Sequence, residues 1–167
     1  MSLQLGIPLF FLAGIVQTTI MSRLEIAGGQ PDLIVLVVLA WAILDKGQEG
    51  MVWGFVGGLV LDLFSTTPFG ISSVALVVVT FFVSLAESQV YRESLILPVF
   101  LGGLGAAGYH AIYMILLRVL DGVPLGWSEV VVYVTLPSIL FDIILIVPVV
   151  RLLSGVYDQL HPRALRF

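Results

Sequence analysis

The chain has 167 residues, of which 59% are hydrophobic and only 11% charged, with a formal net charge of -4 and a mean hydropathy of +1.13. A soluble domain of this size has too little interior to hide so much apolar surface, so a bilayer is its expected solvent. No basic patch is present for nucleic acid, and zero cysteines exclude disulfides, thiolate metal sites and cysteine nucleophiles without revealing the compartment.

Apolar runs fall at about residues 3–21, 33–44, 51–64, 69–86, 95–120 and 130–153. We read them as six helices of one all-α, polytopic membrane bundle, a single integral domain over residues 1–167. The first run is expected to be a retained helix, because no basic residue precedes it and no clear small-x-small cleavage site follows. The second and third runs are short. A 14-residue helix reaches about 21 Å against a hydrocarbon core of about 30 Å, so these two either draw on their flanks or form a re-entrant hairpin. Trp41 and Trp53 flank the polar link from Asp45 to Gly50, which suits a turn at one membrane interface. With the N-terminus inside, Lys46, Arg92, Arg151, Arg163 and Arg166 fall on the cytoplasmic side and Arg23 and Arg118 on the other. That bias places both chain ends in the cytoplasm.

In the third run Gly54, Gly58 and Asp62 recur at four-residue steps, which stacks two bare backbone patches and one carboxylate on a single helical stripe. Gly102, Gly103, Gly105 and Gly108, with Ala106 and Ala107, form a small-residue block in the fifth run. Each surface is either an internal helix contact or a groove for a partner's helix. Pro98 occupies a tolerated first-turn position. Pro137 and Pro148 remove amide donors inside the sixth run and free the carbonyls of Tyr133 and Ile144, so that helix is expected to bend.

The ionisable groups at depth are Asp62, His110 and Asp142, with Gln17 as a polar companion. A carboxylate at a helix centre costs on the order of 2.5 to 3.5 kcal/mol on insertion scales, so each must be paired, protonated or wet, and each is a functional candidate. Architecture is the preferred reading. Asp62 can bond the turn from Ser65 to Gly70, His110 a tyrosine or carboxylate, and Asp142 a hydroxyl such as Ser138. Asp62 lacks the preceding glycine-x-glycine of intramembrane aspartyl proteases, no glycine-flanked serine nucleophile with a histidine base occurs, and there is no phosphate-cradling loop. An enzyme is the least favoured class; no catalytic residue, metal ligand or cofactor is assigned.

The order of motifs is recognisable: Gly28, Gly29, Gln30, Pro31 and Asp32 before an apolar helix, then Gly54 to Asp62, then Pro68, Phe69 and Gly70, and finally Asp142 in the last helix. It resembles the bacterial rod shape-determining protein MreD family over nearly the whole chain, most strongly from Pro31 to Gly70. The resemblance implies a non-enzymatic scaffold or regulator of cell elongation in the inner membrane. Its partner would be the single-span protein MreC, with indirect links to MreB filaments, a SEDS glycosyltransferase and a class B penicillin-binding transpeptidase. The family is also similar in expected fold to the S components of energy-coupling-factor transporters, so a vitamin-binding S component is the alternative. Such a pocket needs convergent polar groups, whereas Gln17, Asp62, His110 and Asp142 are scattered over four runs, which favours the scaffold. The two glycine surfaces are the expected docking faces for MreC.

Overall fold

The computed structural model describes residues 3–19, 29–44, 49–87, 96–121 and 131–160. Among them there are six α-helices and no strand: α1 Leu3–Thr19, α2 Leu33–Leu44, α3 Glu49–Phe64, α4 Ile71–Glu87, α5 Ile96–Asp121 and α6 Leu136–Leu160. The link expected between α2 and α3 lies at residues 45–48, outside the described residues.

A π-helical turn, Val131–Thr135, leads into α6. It occupies the residues just before Pro137, where the missing amide would otherwise strand the Tyr133 carbonyl, so the wider turn is the local accommodation of that proline. Pro98 falls in the first turn of α5, where an amide has no intrahelical acceptor to lose.

The organising element is α2. Nine of its 12 residues, from Ile34 to Ile43, are buried, and it packs against all five other helices. A helix apolar on every side is stable only when protein or lipid surrounds it completely, and here protein does. Trp41 and Trp53 are only 1% and 2% exposed. They are core residues, not the interfacial pair expected from their flanking positions. Trp53 stacks on Phe10 with centroids 5.6 Å apart, and Trp41 meets Tyr157 edge-on at 5.5 Å.

The glycines set how closely the helices approach. A Cβ at Gly54 would lie 2.7 Å from Thr80 Oγ1, and one at Gly58 would overlap the Ser73 backbone, so both glycines seat α4 on α3. In α5, Gly102 and Gly103 face Ile146 and Ile143 of α6, Gly105 faces Leu39 of α2, and Gly108 is in ordinary contact range of Val79. The Gly54/Gly58 stripe and Gly102 and Gly105 are therefore occupied within the chain, whereas Gly103, Ala107 and Gly108 stay half-buried. The same pairings give direction. Gly50 opposes Ser84 while Gly58 opposes Ser73, and Gly105 opposes Val83 while Gly108 opposes Val79, so α3/α4 and α4/α5 are antiparallel. α5 and α6 are antiparallel too, since Gly102 meets Ile146 and Met114 meets Thr135. The helices alternate in direction, and the start of α1 and the end of α6 lie at the same end of the bundle.

Polarity is inverted relative to a soluble protein. Asp62, Asp142, Ser72, Ser73 and Thr80 are buried, while Phe55, Phe69, Phe82, Phe100, Leu140, Ile144 and Leu152 are among the exposed large apolar side chains. An apolar exterior this extensive belongs against hydrocarbon. Pro98–Leu120 and Val131–Tyr157, at 23 and 27 residues, are long and apolar enough to cross a membrane.

If α3 and α4 are held by backbone proximity, Gly58→Ala should destabilise the detergent-solubilised protein by about 1–3 kcal/mol through overpacking. Gly108→Ala, whose added methyl meets only Val79 at 3.5 Å, should be close to neutral. Thermal unfolding of the two variants side by side checks this, and equal effects would refute the assigned contact.

Candidate functional site

Three carboxylates, Asp62, Asp32 and Asp142, gather at one end of the bundle, and two of them, Asp62 and Asp142, accept backbone amides from another element. Gly70 has φ +102 and ends the turn after α3. Its carbonyl accepts the first helical bond of α4, from Val74 N at 3.0 Å, so it is the N-cap residue. A glycine offers no side chain to the next amides. Asp62 supplies the missing acceptor from α3: Oδ1 accepts from Ser72 N at 3.0 Å, and Oδ2 accepts from Gly70 N at 3.0 Å, Ser73 N at 3.3 Å and Ser73 Oγ at 2.9 Å. The carboxylate thus sits on the positive end of α4, where backbone N–H groups replace its hydration.

The same division of labour recurs at α2. Asp32 is its N-cap, with its carbonyl 2.9 Å from Leu36 N. The amide of Ile34 is capped instead by Gln17 Oε1 of α1 at 3.1 Å, while Gln17 Nε2 donates to Asp32 Oδ1 at 2.7 Å. This leaves Asp32 Oδ2 turned toward His110 of α5, 3.8 Å from Nε2. Asp142 of α6 approaches the same ring nitrogen, with Oδ2 3.7 Å from Nε2 and Oδ1 accepting from Asp32 N at 3.2 Å. Both distances to the imidazole exceed a direct hydrogen bond. Ser138 does not serve Asp142, as the sequence had suggested. Its hydroxyl donates to Val134 O at 2.9 Å and accepts from Gln30 N at 3.2 Å, which pins the 29–32 segment onto the start of α6.

Beside this cluster is a cavity of about 530 Å³ between α1, the 29–32 segment, the end of α3, and α5 and α6. Asp32, His110, Tyr109, Tyr113, Gln17 and Ser138 give it a polar wall; Leu61, Phe64 and Val134 give it an apolar one. Tyr113 donates to Thr67 Oγ1 at 3.1 Å, tying that wall to the turn beyond α3.

Gln17, Asp32, His110 and Asp142 therefore converge although they come from four separate elements. The expectation that the buried polar groups are scattered is corrected for these residues. Asp62 remains apart with its own amide partners, so Asp62 and Asp142 belong to different hydrogen-bonding sites. Asp32, noted in the sequence only as part of a motif, is the link between Gln17, His110 and Asp142; its place directly before an apolar run is the N-cap signature that could have singled it out. Pro31 is buried beside it, while Pro68 and Gly70 shape the turn that presents α4 to Asp62. Chemically, an imidazole nitrogen faced by two carboxylates can hold or pass a proton and can anchor a hydrogen-bonding ligand. Among the described residues no His, Asp or Glu group has an arrangement that could hold a metal ion.

Compared with known families, residues 2–157 match the one described as rod shape-determining protein MreD. No curated protein and no solved structure matches the chain.

Two substitution series follow from the geometry. Asp62→Leu should strand several amides at the start of α4, each worth about 1–3 kcal/mol when buried without a partner, and Asp62→Asn should retain part of the cap. His110→Leu should leave two carboxylates facing each other, and adding Asp142→Asn should recover part of the loss, with a coupling of about 0.5–3 kcal/mol. Unfolding in mild detergent measures both. Additive effects at His110 and Asp142 would show that the two groups do not interact.

Proposed function

The chain belongs to the MreD family, and from that premise we propose that it is a non-enzymatic, multi-pass scaffold of the bacterial cell-elongation machinery in the cytoplasmic membrane. Family membership carries a role in rod-shape determination, and the match over residues 2–157 is the observation on which the reading rests. The apolar exterior and the two long apolar helices support an intramembrane site of action. In this reading the bundle binds the single membrane helix of MreC. Through MreC it influences peptidoglycan synthesis by the SEDS glycosyltransferase and class B penicillin-binding transpeptidase, and connects to MreB on the cytoplasmic face. Because Gly54, Gly58, Gly102 and Gly105 are already packed against the chain's own helices, the MreC helix is proposed to lie on an outward apolar face.

The alternating helix directions favour an orientation with both termini on one side, and the excess of basic residues favours the cytoplasm for that side. The polar cavity would then open toward the outer face. The S-component alternative has no match to a solved structure behind it.

Zero cysteines make the chain a ready background for labelling. Thr66→Cys, in the exposed turn beyond α3, should react with a membrane-impermeant maleimide on intact spheroplasts; Gly155→Cys, exposed near the end of α6, should react only after lysis. The reverse pattern would invert the proposed orientation. Tagged protein extracted in mild detergent should co-purify MreC, and expression should restore rod shape to cells lacking their own family member. Shape rescue without any recoverable MreC would remove the partner assignment while leaving the family role.

A further inference from the structure

We propose that the 530 Å³ cavity beside Asp32 is a binding site for a small ligand bearing a primary ammonium group, which the Asp32 carboxylate receives with His110 and Asp142 behind it. The volume is in the range of pockets that enclose a small molecule, roughly 300–1,000 Å³. Among the described residues lining it, the ionisable side chains apart from the two tyrosines are Asp32 and His110, and there is no lysine or arginine. A phosphate or carboxylate would meet the Asp32 carboxylate with His110 as the one basic group beside it, and that imidazole already faces Asp32 at 3.8 Å and Asp142 at 3.7 Å. A neutral ligand would leave that charge unanswered.

The acceptors are placed for N–H donors. Asp32 Oδ1 is engaged by Gln17, whereas Oδ2 has only the imidazole at 3.8 Å, and the side chain is 24% exposed. Behind it the Asp142 side chain is 0% exposed, and its Oδ2 has no hydrogen-bond partner; neither has His110 Nε2. One imidazole facing two carboxylates cannot balance both charges, so the pair keeps a negative potential at that wall of the cavity. Tyr109 and Tyr113 present aromatic rings on the same wall, with centroids 5.8 Å apart, and ring faces attract cations. A primary ammonium satisfies both parts of this set. A quaternary ammonium would lack the donors that the carboxylates require.

The mouth is marked by the exposed residues Thr18, Gln30, Phe64 and Val134. Thr18 and Gln30 are polar, whereas Phe64 and Val134 belong to the apolar outer surface. The amine can therefore arrive as a lipid headgroup from the bilayer or as a soluble molecule from the aqueous end. The site is a property of the bundle whichever helix the bundle docks, so its test is independent of MreC binding.

In one arm, purified full-length protein is exposed to mixed micelles of phosphatidylethanolamine, phosphatidylcholine and phosphatidylglycerol, and bound lipid is read by native mass spectrometry. In the other, thermal stability and Kd are measured with n-butylamine hydrochloride, using butanol and sodium butyrate as controls. The expected result is selective retention of phosphatidylethanolamine, which assigns a lipid, or selective stabilisation by butylamine, which assigns a soluble amine. In either case Asp32→Asn should weaken binding at least about tenfold. Thr18→Trp, which narrows the mouth from an exposed position and leaves the carboxylates untouched, should do the same and decides the matter if Asp32→Asn fails to fold. Folded wild-type protein with no preference for the amine in either arm overturns the proposal, as does folded Thr18→Trp that binds the amine like wild type.

Discussion

Charging a carboxylate far from water costs several kcal/mol unless N–H and O–H groups replace its lost hydration, and in a bundle with an apolar exterior those groups must come from the protein. Asp62 meets this demand with three backbone amides and one hydroxyl around the start of α4. The demand is mutual, since the first amides of a buried helix are equally in need of acceptors. One interaction therefore fixes the end of α3, the turn through Gly70 and the start of α4 as a unit. Around it, Gly54 and Gly58 allow the two backbones to approach closely enough for the carboxylate to reach.

Asp32 shows the same physics put to another use. Because Gln17 caps α2 in its place, the Asp32 side chain is released from the helix end and faces His110 and the cavity. Asp142 braces it from behind by accepting the Asp32 amide. This separates two kinds of buried acid in one small bundle. Asp62 has its oxygens occupied and holds structure together; Asp32 and Asp142 keep an oxygen each oriented toward the imidazole. The distinction is one of hydrogen-bond occupancy and not of burial, for Asp142 is buried as deeply as Asp62.

The fully encased α2 makes this arrangement rigid. Its N-terminus is tied to α1 through Gln17 and to α6 through Asp142, and its body meets all the other helices. A short helix that could not span hydrocarbon alone is thus stable as the core of a protein, where its length need not match the bilayer. The outward surfaces of the bundle are left apolar, while the hydrogen-bonded carboxylates are collected at one end.

The amino-acid sequence by itself determined the helical class, the membrane setting, the family motifs and the six apolar segments, whose bounds hold within a few residues except that α6 runs on to Leu160, because hydrophobic runs and four-residue spacing are local properties. It also brought Asp62 close to its answer, since the amides that bind it begin only eight residues away. Tertiary structure alone decided the rest. The bond from Asp32 N to Asp142 spans 110 residues, and no local pattern encodes which distant acid, imidazole or amide will meet across a packed bundle. The tryptophans read as interfacial because a polar link lies between them, yet packing against Phe10 and Tyr157 made them core. The glycine stripes announced close approach but not by what. Spacing specifies a face of a helix, and only the assembled neighbours specify what that face touches.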